Sequence, residues 1–385
     1  MAKGCEMPYP SRAGRYVGQV NGYRAFVPAP LPPKPPLKLD RQLEMLLSQA
    51  DLALGRLDGV CTILPNPEWF VAMYVRRESV LSSQIEGTQS TLEDVLEFEA
   101  DGTRKDTPKD ITEVINHIDA MYHGLQRVKE LPLSLRLLHE IHGRLLQGVR
   151  GQESTPGDFR KSQNWIGPPG SMLKDAVFVP PPVREMHEAL GNLEVFLRDE
   201  GAFPVLVHVG LAHAQFETIH PFLDGNGRIG RLLITFLLCQ RGVLHRPLLY
   251  LSHYLKANRG EYYDRLMAVR NQGDWEGWIR FFLAGVLEVS QEATRTARAI
   301  ITMREEHRAL ISEKLGSLKY APALHDMLFE TPIVRVGKVS QQLNCNYVTA
   351  NSLMAKFVEL GLLEETTGHK RNRLYRYGPY LGLFS

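Results

Sequence analysis

This sequence lacks the features that mark several classes of protein. Its four cysteines are far apart and form no Cys-x-x-Cys pair, which argues against a disulfide framework or a zinc site. It has no apolar run of about 18 residues, as a membrane span requires, and its N-terminus lacks the apolar core of a signal peptide. Its net charge of +2 provides no overall attraction to nucleic acid or membranes. We therefore expect a cytoplasmic protein that makes no contact with membranes.

The chain is long enough for more than one domain. Its 385 residues can bury a substantial core, and its apolar and charged fractions are ordinary for a globular protein. Apolar residues recur at helical spacing through most of it, so the predicted fold class is mainly α. The predicted units are an N-terminal arm with helices at 1–90, a central helical core at 91–290, a connector helix at 291–319 and a C-terminal unit at 320–385.

One polar stretch, HPFLDGNGRIGR from His220 to Arg231, interrupts an otherwise apolar region. Apolar helical patterns precede it at 204–219 and follow it at 229–239. A polar, glycine-rich loop between two buried helices is unfavourable for the free energy of folding, so we expect it to be present because it binds a ligand. Glycines let backbone N–H groups approach a ligand closely, and the N-terminus of the following helix favours an anion. The glycines are Gly225, Gly227 and Gly230.

The charged residues of this loop suit a nucleotide polyphosphate with a bound metal. Arg228 and Arg231 lie three positions apart on one face of the predicted helix, and each guanidinium can grip phosphate oxygens. Asp224 can hold Mg2+, whose usual ligands are one or two carboxylates and phosphates. Asn226 can donate a hydrogen bond to a phosphoryl oxygen. His220 is the candidate general base, since a neutral imidazole can take a proton from an attacking hydroxyl.

Two other segments leave alternatives open. The segment Val177–Val179 lies in a predicted hairpin, which either takes up an extended peptide by strand addition or is a connecting flap without a partner. Glu86 lies in the last turn of a helix predicted at about 68–87, at the negative end of the helix dipole. Its carboxylate is either solvated or paired with a cation.

The C-terminal unit has the pattern of a winged helix-turn-helix, with three helices and two strands joined by a basic loop at 366–373. From Ile333 to Gly378 it has seven Lys or Arg residues and three Asp or Glu residues. This modest excess of positive charge fits DNA binding. The alternative is a protein-interaction or dimerisation module with the same fold.

The stretch from His220 to Arg231 matches the motif H-x-F-x-[D/E]-G-N-G-R-x-x-R of the Fic family at all eight defined positions. The resemblance extends to Pro156–Arg160 and Val177–Pro182, which look like the family's flap region, and to a helical core from about 92 to 283. The segment Ser82-x-x-x-Glu86-Gly87 resembles the family's inhibitory helix. The resemblance therefore implies a Fic-type helical bundle with a small β-hairpin flap, plus the C-terminal winged helix.

Fic proteins transfer AMP from ATP to a Ser, Thr or Tyr hydroxyl of a protein, so the resemblance implies a protein adenylyltransferase, an AMPylating nucleotidyltransferase that uses ATP and Mg2+. On this resemblance His220 deprotonates the target hydroxyl, Asp224 holds Mg2+, and Arg231 reaches the γ-phosphate. Tyr263 occupies the place where relatives contact the adenine. The residues implied in nucleotide binding are Glu86, His220, Gly225, Asn226, Gly227, Arg228, Ile229, Gly230, Arg231 and Tyr263.

The resemblance also supplies a cation for Glu86. In the family the glutamate of the inhibitory helix pairs with the second motif arginine, here Arg231, and ATP then binds in an unproductive pose. The enzyme is therefore expected to be autoinhibited. The residues implied in inhibition are Ser82, Glu86 and Gly87, and those implied in docking the target by strand addition are Val177, Phe178 and Val179.

Other activities remain alternatives, within the family and outside it. Some members transfer phosphate, UMP or phosphocholine, but Gly225 stands where phosphorylating members have Lys, which favours AMP. Some members with the same glutamate also remove AMP. A nucleotide-sensing regulator that binds DNA through the C-terminal unit belongs to a different class. The expected partners are a protein substrate, the chain itself through self-modification or as a homodimer, and DNA.

Overall fold

The computed structural model describes residues 12–62, 64, 66–101, 108–149, 155–168, 170–201, 203–369 and 372–384. These fold mainly into α-helices, as predicted, with small antiparallel sheets. Among them, no helix combines the length and the apolarity needed to cross a membrane. Helices α1 to α15 span Arg41–Thr62, Pro67–Ile85, Leu92–Asp101, Lys109–Arg127, Leu135–Leu145, Val183–Arg198, Val205–Ile219, Asn226–Gln240, Ser252–Ala257, Arg259–Gln272, Trp275–Leu315, Ala321–Glu330, Val336–Gln342, Tyr347–Glu359 and Gly378–Leu381. Strands β1 to β5 span Gly14–Gly18, Arg24–Pro28, Ile333–Arg335, Glu364–Glu365 and Leu374–Arg376.

Helices α7 and α8 run through the core and carry the polar loop between them. Residues Leu206 to Ile219 of α7 are all buried, and so are residues Ile229 to Leu238 of α8. A helix that is apolar around its whole circumference is one that other helices surround. Because both helices are held on every side, the loop that joins them has a well-defined position.

Helix α11 connects this core to both ends of the chain. The indole N–H of Trp278 donates to the backbone oxygen of Gly210 on α7 at 2.8 Å, and α1 packs along α11. The connector helix predicted at 291–319 is not separate, because α11 is a single helix of 41 residues. Neither glycine nor proline occurs between Val286 and Leu315, so nothing in this part of the sequence breaks the helix.

An unpredicted hairpin of β1 and β2 precedes α1. The two strands are antiparallel, with Gly14 opposite Pro28. The N–H of buried Phe26 donates to the backbone oxygen of Val179 at 2.9 Å, so the hairpin lies on the predicted flap. The Asn-Gly pair at residues 21 and 22, between the strands, is a typical hairpin-turn signal and could have identified it.

The flap itself is less regular than predicted. The strand expected at Val177–Val179 is reduced to one bridge, between Ile166 and Phe178. Residues Leu173–Asp175 form a single 3-10 turn. Prolines at positions 180 to 182 then prevent further pairing, because proline has no N–H to donate.

The C-terminal unit contains α12, α13 and α14 and the strands β3, β4 and β5. The three helices and the two strands after them were predicted, whereas β3, between α12 and α13, was not. Strand β5 lies between β3 and β4 and is antiparallel to both. The side chain of Asn346 caps α14 by accepting a hydrogen bond from the N–H of Thr349 at 2.8 Å. Residues 370 and 371 of the predicted basic loop lie outside the described residues, as do residues 1–11 of the N-terminal arm.

The variant Gly124→Ala tests the close packing of α4 against α8. A Cβ added to Gly124 would lie 2.2 Å from the ring of Phe236. Such overpacking costs about 1–3 kcal/mol, which outweighs the gain of roughly 0.8–1 kcal/mol in helix propensity. We expect a lower melting temperature in thermal unfolding followed by circular dichroism.

Gly191→Ala is the matched control for this variant. Gly191 is exposed in the middle of α6, and an added Cβ would meet no atom within 4 Å. The same substitution should therefore raise the melting temperature there. A rise of similar size in both variants would contradict the packing of α4 against α8.

Candidate active site

The loop between α7 and α8 begins and ends in the left-handed region of backbone conformation. His220 ends α7 with φ 50° and ψ 60°, and Gly225 precedes α8 with φ 78°. Glycine adopts this conformation freely, whereas histidine does so rarely. Strained residues of this kind concentrate at functional sites, where the surrounding structure holds them in place.

The side chain of Asn226 stabilises the loop from inside by hydrogen bonds to its backbone. Its Oδ1 accepts from the N–H of Phe222 at 2.8 Å, and its Nδ2 donates to the oxygen of Phe222 at 2.8 Å. The predicted phosphate contact of Asn226 therefore has to use the second hydrogen on Nδ2. The main observed role of this side chain is to hold the loop closed.

His142, which the sequence analysis did not single out, supports the same loop. Its ring stacks on Phe222 with 3.7 Å between centroids. Its Nε2 donates to the backbone oxygen of Asp224 at 3.0 Å, while its Nδ1 accepts from the N–H of Gly157 at 2.8 Å. This pattern requires the neutral imidazole, and burial lowers the pKa of His142 to about 4.

His220 is held by its backbone and leaves its imidazole free to react. Its carbonyl oxygen accepts from Nε of Arg160 at 3.1 Å and from Nδ2 of Asn164 at 3.2 Å. Its buried Nδ1 has no hydrogen-bond partner among the described residues. Burial and the nearby cations Arg270 and Arg160 lower the pKa of His220 to about 3, so the imidazole is neutral. Arg160 lies in the segment 156–160 that resembles the family's flap region, but its bond to the His220 backbone could not be predicted.

Arg231 is buried and bonded to helix α2. Its Nε donates to Oγ of Ser82 at 2.8 Å, and its Nη2 donates to the backbone oxygen of Ser82 at 2.9 Å and to Oε1 of Glu86 at 2.7 Å. Burial alone would raise the pKa of Glu86 and lower that of Arg231, but each charge stabilises the other. The pKa of Glu86 is therefore lowered and that of Arg231 is raised. The cation that Glu86 needs is Arg231, as the family resemblance implied.

The carboxylate of Glu86 lies against the first turn of α8. A Cβ on Gly227 would be 2.2 Å from Oε1 of Glu86, so only glycine permits this approach. Gly87, which follows the glutamate, has φ 104° and allows the chain to turn away. The position that helix geometry reserves for an anion is therefore next to a carboxylate of the protein itself.

Arg228 is bonded to a different helix. Its Nη1 lies 3.3 Å from Oε2 of Glu113 on α4, and its Nη2 lies 3.7 Å from Oδ1 of Asp224. Only 1% of the Arg228 surface is exposed, and its Nε has no partner among the described residues. The two motif arginines, predicted on one face of the helix, are thus directed to α4 and α2. Glu113 was missed because 115 residues separate it from Arg228.

Asp224 is the candidate magnesium ligand, and its surroundings fit that role. Its side chain is 37% exposed, and one oxygen, Oδ1, accepts from the N–H of Gly225 at 2.6 Å. Within the described ranges there is no cluster of three His, Cys, Asp or Glu that could form a metal site. A single open carboxylate beside an anion site suits Mg2+ that shares its other positions with phosphate and water.

Two further nucleotide-binding predictions have different outcomes. Tyr263 is 39% exposed, and its ring lies 5.0 Å from that of Tyr262. The hydroxyl of Tyr262 bonds to His213, which bonds to the backbone oxygen of Gly230 on α8. Through Tyr262, Tyr263 is therefore connected to the first turns of α8. The prediction that Ile229 binds the nucleotide has to be corrected. Its side chain is buried, and its N–H donates to the oxygen of Gly225 at 3.0 Å. It therefore has no group available to a nucleotide.

The flap residues differ in how they could meet a target. Val177 is 61% exposed, whereas Phe178 and Val179 are buried. The ring of Phe178 is covered by the guanidinium of Arg270, 3.8 Å from its centroid. The backbone oxygen of Val179 is already bonded to Phe26. The flap edge that was expected to be free is thus partly covered by the chain's own strand β2.

Comparison with known sequences assigns the family. Residues 132–238 match the sequence model described as Fic/DOC family, and residues 45–126 match the one described as Fic/DOC family N-terminal. The chain thus contains a Fic domain, preceded by a Fic/DOC N-terminal region. The Fic match contains His220 and both motif arginines, and the N-terminal match contains Glu86.

Curated relatives of this Fic protein are longer than the region they share with it. The chain is 35% identical over 152 residues to a protein named protein adenylyltransferase Fic from Aedes aegypti, covering 39% of this chain and 27% of the relative. It is 28% identical over 192 residues to a probable protein adenylyltransferase from Aquifex aeolicus, covering 50% and 56%. The chain thus spans between about a quarter and just over half of these relatives.

Solved structures show the same fold. A Fic family protein from Desulfovibrio desulfuricans has a TM-score of 0.60 at 21% identity and covers 89% of this chain and 97% of its own. Fic-1 from C. elegans has a TM-score of 0.51 at 21% identity and covers 68% and 74%. The fold class predicted from the sequence, mainly α and of the Fic type, is confirmed.

Glu217 provides a test of the electrostatics of this Fic site. It is 6% exposed, its Oε1 has no partner among the described residues, and burial raises its pKa from 4.5 to about 7. Above pH 4.5 the unfolded chain releases this proton before the folded chain does, so ionisation lowers stability as the pH rises towards 7 and beyond. We expect Glu217→Gln to be more stable than the wild type by about 1–3 kcal/mol at pH 8, with little difference at pH 5.

Thermal melts at both pH values measure this effect, and Glu188→Gln is the control. Glu188 is on the surface of α6, where its carboxylate is 62% exposed, so its substitution should show no such pH dependence. An equal stability gap at pH 5 and pH 8 for Glu217→Gln would contradict the raised pKa.

Proposed function

We propose that this protein is a protein adenylyltransferase that transfers AMP from ATP to a Ser, Thr or Tyr hydroxyl of a protein, and that Glu86 inhibits it. The observation that carries the proposal is the contact of Glu86 with Arg231 and Gly227, directly at the anion-binding end of α8. The names of the curated relatives, protein adenylyltransferases, support the reaction class. The complete motif supports an active site rather than a scaffold.

His220 is the proposed base for this transfer. Its neutral imidazole can take the proton of the target hydroxyl, whose oxygen then forms a bond to the α-phosphorus of ATP while the bond to pyrophosphate breaks. The proton stays on His220 until it is returned to solvent. The low pKa of about 3 reflects burial beside two arginines, and the negative phosphates of ATP would raise it towards the range in which a base works well.

The anion-binding end of α8 and the two arginines would stabilise the phosphates. The N–H groups at the start of α8 favour negative charge, and Arg228 and Arg231 carry the positive charge nearby. Asp224 would hold Mg2+ with the nucleotide. When bound, Mg2+ would neutralise charge on the leaving pyrophosphate. Catalysis would then consist mainly of positioning and electrostatic stabilisation.

Inhibition would follow from competition for Arg231. A γ-phosphate that approaches Arg231 has to replace Glu86, whose carboxylate makes a charge-assisted bond of 2.7 Å. The same carboxylate lies against Gly227 and would repel a phosphate placed there. With Glu86 in place, ATP would be held in a pose that does not align the α-phosphorus with the attacking hydroxyl.

The target would dock at the flap. Val177 provides an exposed apolar side chain, but strand β2 is bonded to Val179. A target strand would therefore either displace β2 from Val179 or pair farther along the flap. The flap therefore offers fewer free backbone groups for pairing with a target strand than an isolated hairpin would.

The variant Glu86→Gly tests the proposed activity and its inhibition together. Removing a charge-assisted bond worth about 1.5–3 kcal/mol frees Arg231 for the γ-phosphate. We expect AMP transfer to rise by about tenfold or more. Transfer is measured as incorporation of label from α-labelled ATP into protein, both in the purified chain and in a cell lysate.

Two further variants complete the experiment. Adding His220→Ala to Glu86→Gly should lower transfer by about 10²–10⁴-fold while ATP binding by calorimetry persists, which separates a catalyst from a nucleotide sensor. Glu130→Gly is the control, because Glu130 lies on the surface just after α4 and forms an ion pair with the half-buried Arg127, away from the loop. Equal labelling by wild type, Glu86→Gly and Glu130→Gly would contradict inhibition by Glu86.

A further inference from the structure

The C-terminal unit is attached to the Fic core by one side only. Helix α12 packs on α11 and α2, and β3 packs on α3. The ring of Phe329 stacks on Trp69 with 6.1 Å between centroids, and Arg376 lies 3.1 Å from Glu93. These contacts leave the turn between α13 and α14, and the outer face of α14, directed away from the core.

The outer face of α14 carries no charge from Tyr347 to Ala355. Counted from Tyr347, its exposed or partly exposed residues lie one, four, five and eight positions further along, which places them within one face of a helix. Val348 is 77% exposed and Tyr347 is 56% exposed. The acidic Glu359, at the end of the helix, is exposed on the same face. The residues of the uncharged part are Tyr347, Val348, Asn351, Ser352 and Ala355.

Positive charge flanks this uncharged face on both margins. On one margin, a groove of about 440 Å³ between Lys319 and the Val348–Ser352 side of α14 brings the lysine alongside the helix. On the other margin, Arg373 of the wing donates to Oδ1 of Asn351 at 2.9 Å.

The two acidic residues of the sheet make contacts of their own, and the charge of Glu365 also interacts with that of Arg373. Glu364 is paired with Arg376 at 2.7 Å, on the side that also contacts Glu93 of the core. Glu365 accepts from the N–H of Gly368 at 3.0 Å and is used to shape the wing.

We propose that this surface, made of α14, Lys319 and Arg373, binds duplex DNA, with α14 in the major groove. The groove is about 12 Å wide and admits one helix, and the two cations would meet the phosphates on either side of it. Val348 and Ala355 can contact thymine methyl groups, while Ser352 and Asn351 can hydrogen-bond to base edges. This function is independent of the proposed AMP transfer.

Fluorescence anisotropy of the full chain with a labelled pool of random 30-base-pair duplexes measures the phosphate contacts. Affinity should fall steeply between about 50 mM and 200 mM salt, and Lys319→Gln and Arg373→Gln should each weaken binding and reduce the salt slope by about one. Arg184→Gln is the control, since Arg184 is an exposed arginine of α6, 86% exposed and paired with Glu188. It should leave both quantities unchanged.

Selection of tight sites from the same random pool measures the base contacts. The wild type should enrich a defined sequence, and Val348→Ser and Ser352→Ala should change the bases enriched while the melting temperature stays the same. Absence of binding at about 50 mM salt, or binding that Lys319→Gln and Arg373→Gln do not weaken, overturns the proposal. It is also overturned if sedimentation shows that Val348→Glu dissolves a dimer while the wild type binds no DNA, because α14 is then a protein interface.

Discussion

The buried guanidinium of Arg231 is the constraint on which the site depends. With 3% of its surface exposed, it has to be neutralised inside the protein, and Ser82 and Glu86 together supply three hydrogen bonds. This pairing joins the end of α2 to the start of α8. It also explains Gly227, because any side chain there would collide with the carboxylate of Glu86. Removing Glu86 would leave a buried charge that only another anion can satisfy.

The groups around this ion pair are held in a state that favours an incoming anion. His220 and His142 are kept neutral by burial, and burial also raises the pKa of Glu217. Each of the two motif arginines has a carboxylate partner, Glu113 for Arg228 and Glu86 for Arg231, and Asp224 is partly exposed. A nucleotide triphosphate would compete with these carboxylates for the arginines. Productive binding of the nucleotide would then require that its phosphate replace Glu86 at Arg231.

Much of the fold and part of the site could be predicted from local pattern. The periodicity of α7 and α8 and the end of α2 near Gly87 follow from spacing and residue type. The hairpin of β1 and β2 was missed although an Asn-Gly pair marked it. The predicted flap strand was too long because local β propensity does not supply a pairing strand, and only Phe178 forms a bridge, with Ile166. The connector helix was placed separately although neither glycine nor proline divides α11 between Val286 and Leu315.

The sequence by itself determined the chemical groups available: a base, a carboxylate, an amide and two arginines around three glycines between apolar helices. These follow from residue type and short spacing, which act locally. Only the tertiary structure decided the partner of each group: Glu113 for Arg228, Ser82 and Glu86 for Arg231, and the backbone of Phe222 for Asn226. It also placed β2 on Val179 of the flap. Most of these partners are distant in sequence, and only the packing of α2, α4 and α8 brings the charged groups close enough to compensate one another.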